Sequence, residues 1–177
     1  MVTSVDLPIG VRTVPLEMHR DPRGVFTELF RQEWFDKPRP VQWNAVTSEA
    51  NALRGVHVHL RHWDYLIVLR GRALFNLRDL RTSSPTFGST AAIEMSGESL
   101  AALIIPPGVA HGFYFHEPSL HVYAVSEYWD LADELGCHFA DPELGLSWPR
   151  SDPLISPRDA ELPPLRSLMT QLAGKFD

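Results

Sequence analysis

The chain has one cysteine, Cys137, so no intramolecular disulfide can staple the fold. With polar, loop-like neighbours in sequence, that thiol reads as a spectator rather than a nucleophile. No apolar run approaches the roughly 20 residues a helix needs to span a bilayer, and the opening residues, Met1 to Asp6, lack the basic and hydrophobic regions of a secretory signal. A soluble, cytoplasmic protein without a membrane partner is expected. Positive charge is in deficit: 16 Lys and Arg stand against 22 Asp and Glu, a formal net charge of -6. With no run of Lys or Arg to follow a phosphate backbone, nucleic acid is not an expected partner. Internal repeats and low-complexity tracts are absent as well.

What is present is a chain of 177 residues, 44% hydrophobic and 21% charged, the size and balance of one soluble domain with a sizeable core. One domain is expected over 1–177. Short alternating or apolar segments recur at 11–15, 25–30, 41–46, 63–69, 73–80, 90–95, 100–105, 111–115 and 120–128, each reading as a strand. Glycine and proline separate many of them, and the run from His19 to Gly24 has turn chemistry throughout. Residues 32–36 are expected to form one helical turn. Many short strands at this spacing predict an all-β sandwich or barrel of the jelly-roll type. Residues 130–153 form an irregular segment expected across the barrel mouth as a lid or wall. A helix is expected only at 163–173, where Leu165, Leu168, Met169 and Leu172 share one face and Gly174 can stop it.

Histidines sit at the centre of this pattern. His57 and His59 are two apart, so on an extended strand they project from one face. Asp64 follows in Arg54–Gly71, a stretch that bridges two strands. His57 and His111 each lie near glycine at the start of a mostly apolar strand, and both are expected inside the barrel, where a polar side chain needs a partner or a purpose.

Several motifs carry a resemblance, in chain order. Asp21-Pro22-Arg23-Gly24-Val25-Phe26-Thr27-Glu28, Gln42-Trp43-Asn44, Arg54-Gly55-Val56-His57, Asp79-Leu80-Arg81 with Ser84-Pro85-Thr86-Phe87-Gly88, Ile105 to Phe113, and Ile155-Ser156-Pro157-Arg158-Asp159 together resemble the dTDP-4-dehydrorhamnose 3,5-epimerase family. The resemblance runs from about Val11 to Pro164. It implies a cupin-type jelly roll, usually a homodimer, that needs no cofactor and acts on a nucleotide-linked 4-keto-6-deoxyhexose. Such an enzyme removes a proton next to a ketone and returns it on the other face through an enolate. The resemblance assigns His57 as base, Asp159 as its orienting partner, Tyr123 as acid with Tyr128 as the fallback, and His111 as the residue that polarises or orients the sugar. It assigns Arg23, Glu28, Gln42, Asn44, Arg54 and Arg158 to the nucleotide and its phosphates, where the guanidinium fork pairs two oxygens at once. Trp129 stands where the family commonly has an aromatic residue beside the substrate.

Two positions depart from the family. His59 replaces a usual glutamine and Asp64 a lysine near the enolate oxygen; both then border the substrate, and a carboxylate there opposes enolate formation. The spacing Gly55-X-His57-X-His59, Asp64, Gly71 and Pro106-X-Gly108-X-X-His111 also resembles the two metal-binding cupin motifs, with aspartate for the usual glutamate. A divalent Fe, Mn, Ni, Cu or Zn ion held by His57, His59, Asp64 and His111 is therefore the alternative. The two uses compete for His57, because a nitrogen bound to metal cannot also accept a proton. Three functions remain open from sequence: an epimerase, a metal-dependent cupin enzyme acting on a small carbonyl compound, and a non-catalytic sugar-nucleotide binding relative.

Overall fold

Strands dominate the computed structural model, which describes residues 6–34 and 39–176. In chain order they are β1 (Arg12–Pro15), β2 (Met18–Asp21), β3 (Gly24–Thr27), β4 (Gln42–Ser48), β5 (Leu53–Val58), β6 (Asp64–Arg70), β7 (Arg72–Asp79), β8 (Thr90–Ser96), β9 (Ala101–Ile105), β10 (Val109–Phe115), β11 (Ser119–Val125) and β12 (Leu135–Gly136). Two short helices follow, α1 (Pro157–Ala160) and α2 (Leu165–Leu172). One five-stranded sheet has the order β1-β9-β6-β11-β4, the other β12-β5-β10-β7-β8, and β2 and β3 form a separate hairpin. The strand ladders are antiparallel. This is the all-β jelly roll expected from the strand pattern, and no helix of the described residues is long and apolar enough to cross a membrane.

Side chains alternate between the faces of a strand, and the parity of the apolar residues decides which face is inside. Leu66 and Val68 of β6, Phe75 and Leu77 of β7, Leu103 and Ile105 of β9, and Phe113 and Phe115 of β10 meet between the sheets. The same parity carries polar residues inward at one end: Asp64 precedes Leu66 by two, His111 precedes Phe113 by two, and His121 and Tyr123 alternate along β11. The interior is therefore packed at one end and polar at the other. The outer face of the second sheet is covered by Leu165, Leu168 and Leu172 of α2, together with Cys137, Phe139 and Leu144. Leu16, Leu29 and Phe30 pack against the outer face of the first.

Several boundaries differ from the expected ones, and pairing explains them. The turn expected over His19–Gly24 narrows to Pro22 and Arg23, because 18–21 and 24–27 hydrogen-bond as a hairpin whose last rung is Met18↔Thr27. Beyond that rung 28–30 leave the strand, and Phe30 packs edge-on against Tyr65, ring centroids 5.5 Å apart. β11 stops at Val125 because its neighbours begin there, opposite Gln42 and Asp64; Tyr128, expected to end that strand, is exposed. The helical turn expected at 32–36 is a 3-10 turn over Gln32–Trp34, with the remainder outside the described residues. α1 was not expected; its start is capped by the Ser156 hydroxyl, which accepts from the Asp159 N–H at 3.0 Å. Trp129 and Glu134 of the irregular segment border the cavity described below, whereas Phe139, Leu144 and Trp148 pack on the far side of the sheet. Cys137 is fully buried in that apolar cluster rather than among polar neighbours, and burial pushes its thiol up to about 12.

Candidate active site

A cavity of about 400 Å³ opens at the polar end of the sandwich, with β5, β6, β10 and β11 and the segment from Ser156 to Asp159 contributing to its walls. His57 and His111 stand directly opposite each other in the β5–β10 ladder, as their shared position inside the barrel requires. The close approach of these strands depends on Gly55. It has φ +118°, and a Cβ there would lie 2.7 Å from the His111 carbonyl oxygen and 2.8 Å from Gly112 Cα, so neither the backbone angle nor the space admits a side chain.

Asp159 reaches the cavity from α1. Its Oδ1 lies 2.7 Å from His57 Nε2 and its Oδ2 3.4 Å from the Gly55 N–H. A carboxylate only accepts, so Nε2 carries the hydrogen and Nδ1 is left as the basic nitrogen of His57. Burial alone would raise the Asp159 pKa, but the His57 bond and charge, with the Gly55 and Ser156 contacts, hold it below the usual carboxylate value.

A second group forms beside this pair. His59 Nδ1 donates to the Asp133 carbonyl oxygen at 3.2 Å, and His111 Nδ1 to the Val109 carbonyl at 3.1 Å. His62 Nδ1 lies 3.3 Å from Asp133 Oδ2. The three Nε2 atoms all face the Asp64 carboxylate, His62 at 3.7 Å, His111 at 3.9 Å and His59 at 4.0 Å. His59, His62 and Asp64 are buried, and their nearest ligand atoms fall within 4.8 Å of one another. Burial drives His59 and His111 down to about 4, so both are neutral at neutral pH. For His62 burial pulls downward, but Asp64, Asp133 and Glu134 outweigh it and raise the pKa. Burial pushes Asp64 upward, and the three imidazoles more than offset it.

Tyr123 faces the cavity from β11, in the opposite sheet to His57. Burial and the nearby Glu134 and Asp64 charges raise its pKa against a smaller opposing effect of Arg54, so it keeps its proton at neutral pH. Of the residues expected from sequence, His57, Asp159, Tyr123, His111, Arg54, His59, Asp64, Trp129 and Arg158 all line this one cavity. Gln42 and Asn44 sit just behind it on β4: Gln42 donates to Asn44 at 3.1 Å and accepts from the Trp129 N–H at 2.9 Å, and Asn44 pairs with Tyr123 in the ladder. Arg23 and Glu28 lie outside the cavity, Arg23 bound to Asp21 at 2.6 Å and Glu28 to Arg31 at 2.8 Å. The four side chains of the expected metal set, His57, His59, Asp64 and His111, all line the cavity, with His57 Nε2 engaged by Asp159. His62, which sequence reasoning passed over, clusters with His59 and Asp64.

His121 and Glu134 were missed too. His121 lies two residues before Tyr123, a parity signal that was available; it is driven down to about 4 by burial, reinforced by the Arg54 charge, and its buried Nδ1 has no hydrogen-bond partner among the described residues. Glu134 had no such signal, since it comes from irregular chain.

The chain resembles known proteins along most of its length. The family model for dTDP-4-dehydrorhamnose 3,5-epimerase matches residues 7–167. A dTDP-4-dehydrorhamnose 3-epimerase of Streptomyces niveus is 34% identical over 161 residues, 86% of this chain and 78% of the relative. Among solved structures, the Legionella pneumophila dTDP-6-deoxy-D-glucose-3,5-epimerase in complex with dTDP-4-keto-L-rhamnose superposes with a TM-score of 0.87 at 30% identity, covering 96% of this chain and 94% of that one. A 3'-monoepimerase of Streptomyces bikiniensis in complex with dTDP-quinovose gives 0.85 at 30% identity, over 92% and 87%. With the family model spanning nearly the whole described chain and relatives of this similarity on either side, the protein belongs to the dTDP-4-dehydrorhamnose 3,5-epimerase family.

Proposed function

We propose that this protein epimerises a dTDP-linked 4-keto-6-deoxyhexose by taking a proton from a carbon next to the ketone and returning one on the opposite face. The carrying observation is that the His57–Asp159 pair and Tyr123 enter one cavity from opposite sheets. A planar enolate held between them meets a base on one side and an acid on the other. His57 Nδ1 accepts the carbon-bound proton, and the Asp159 carboxylate stabilises the imidazolium that forms. Tyr123, protonated at neutral pH, donates to the other face. His111, neutral and with its Nδ1–H committed to Val109, offers only an acceptor, so it orients a sugar hydroxyl rather than polarising the ketone. Arg54 and Arg158 border the cavity and supply charge for the diphosphate.

A family of epimerases and the joint presence of base, partner and acid favour this reading over a cupin oxygenase or a non-catalytic binder. We extend it to a cytoplasmic homodimer: Val25 and Phe26 of the β2–β3 hairpin are 47% and 64% exposed, and Arg23 and Glu28 beside them contact a nucleotide only if the hairpin reaches a second copy. Sedimentation at micromolar concentration would show twice the chain mass.

The decisive experiment is solvent-deuterium incorporation into dTDP-4-keto-6-deoxyglucose. His57→Ala, folded as the wild type, is expected to abolish it; retained exchange would remove the His57–Asp159 pair as the proton-transfer machinery.

A further inference from the structure

The structure assigns a second function to this cavity: His59, His62 and Asp64, with His111 beside them, form a binding site for one divalent first-row transition-metal ion. Hydrogen-bond directionality carries the inference. His59 and His111 each spend their Nδ1–H on a backbone carbonyl, of Asp133 and Val109, and His62 Nδ1 faces the Asp133 carboxylate at 3.3 Å. The two backbone acceptors leave the Nε2 lone pairs of His59 and His111 aimed at one buried carboxylate, and His62 Nε2 faces the same carboxylate from between Asp64 and Asp133. The gaps of 3.7, 3.9 and 4.0 Å between those nitrogens and the Asp64 oxygens are too long for hydrogen bonds. Two lone pairs facing a carboxylate repel it unless positive charge stands beside it, from a proton shared with His62 or from a metal ion that takes that proton's place.

Metal-bound histidines are ordinarily oriented in this way, with the far N–H on a carbonyl or carboxylate. Donors held at about 2.0–2.2 Å from one ion are roughly 3–3.5 Å apart, so side-chain shifts of about 1 Å or less bring His59, His62 and Asp64 into register. The outer layer is already built. Asp133, itself buried, accepts from the Leu60 N–H at 2.8 Å and lies 3.4 Å from the Arg61 N–H, which holds it behind both His59 and His62. Two imidazoles and one carboxylate suit Zn²⁺, Fe²⁺ or Co²⁺, and they leave coordination positions open towards the cavity and His111. His57 is not among these three donors, and its Nε2 is bonded to Asp159, so a base at His57 Nδ1 and an ion at His59, His62 and Asp64 can coexist.

The site stands on its own donors, while its role rests on the epimerase reading. There, a buried carboxylate close to a carbon acquiring enolate charge raises the barrier, and an ion on that carboxylate reverses the sign of the local field and can polarise the ketone.

The test uses full-length protein purified without a histidine tag, stripped with chelator, and titrated with Co²⁺ by absorption and with Zn²⁺ by calorimetry. The expected result is one ion per chain, a Co²⁺ spectrum of nitrogen and oxygen ligation, and unchanged binding in His57→Asn. Affinity should fall about 10- to 100-fold in Asp133→Asn and further in His62→Gln and Asp64→Asn. If either of the last two fails to fold, the Co²⁺ spectrum of the wild type and His59→Gln decide. Absence of stoichiometric binding by the wild type, or binding indifferent to His62→Gln and Asp64→Asn, overturns the site. Deuterium exchange on the same samples separates the two proposals: metal binding without exchange refutes the epimerase alone, and exchange in protein that binds no metal refutes the site alone.

Discussion

Replacing Asp159 with asparagine tests the base at its most specific point. The substitution keeps the shape of the side chain and removes its charge, so the Ser156 cap at the backbone of α1 is untouched. Two effects then act together on His57. The first is electrostatic: an imidazolium and a carboxylate about 3 Å apart attract by roughly 5 kcal/mol at an effective dielectric near 20, and part of this is offset by desolvation. The second is the tautomer. Gly55 N–H points at Asp159 Oδ2 and can hold the amide oxygen, turning the amide NH₂ onto His57 Nε2. That nitrogen must then be unprotonated, and the hydrogen moves to Nδ1, where the substrate proton should go. A loss of about 3–5 kcal/mol, roughly 10²- to 10⁴-fold in rate, is expected.

The assay is the initial rate of deuterium incorporation into dTDP-4-keto-6-deoxyglucose in D₂O, with thermal unfolding and dTDP affinity as controls. Because the structure holds the Asp159 pKa below its ordinary value, the carboxylate is charged throughout the neutral range, and the deficit should persist across it. A folded, nucleotide-binding Asp159→Asn protein exchanging within about tenfold of the wild type would refute the role given to this pair.

Tyr123→Phe separates acid from base: exchange at the carbon next to the ketone should continue while the yield of inverted product falls at least about 100-fold, and loss of both at once would show that Tyr123 does not act after the base. Gly55→Ala should lower the melting temperature and displace His57, since φ +118° and a 2.7 Å approach to the His111 carbonyl oxygen leave no room for a methyl group; a fully active, equally stable variant would contradict the packing of β5 on β10. Asp79, fully buried, is drawn down to about 2 from 3.8: burial alone would raise it, but bonds from Arg81, Ser84 and Thr86 prevail. A depressed carboxylate stabilises the fold above its unfolded pKa and loses that contribution as pH falls towards the folded value, here from about 4 to about 2, worth about 2 kcal/mol. Denaturant unfolding should therefore show the stability gap between wild type and Asp79→Asn narrowing over that window, and a constant gap would sink the assignment.

Local order was legible in the sequence because it is written with short periods. Alternation placed the strands, glycine and proline marked the breaks between them, and the stripe of Leu165, Leu168 and Leu172 announced α2. Parity alone carried His111 and Asp64 to the inside, since each lies two residues from a buried Phe113 or Leu66. The resemblance of ordered motifs named His57, Asp159 and Tyr123. Other features depended on contacts that no local pattern encodes. β11 was read too long because a strand ends where its partners end, and those partners are distant in the chain. Arg23 and Glu28 were motif residues, but the hairpin that carries them keeps them outside the cavity of a single chain. His57 and Asp159 are 102 residues apart, and only the packing of α1 against β5 sets them 2.7 Å from each other. That contact engages His57 Nε2, while His62, from the turn between β5 and β6, joins His59 and Asp64 in a cluster that spacing did not show. Its neighbour Asp133 comes from an irregular segment more than 60 residues later, where neither period nor motif could place it. The sequence by itself determined which residues face inward along each strand, because side-chain direction alternates with a period of two. The tertiary structure alone decided which imidazole is paired with Asp159 and which surround Asp64, because that depends on what stands behind each ring.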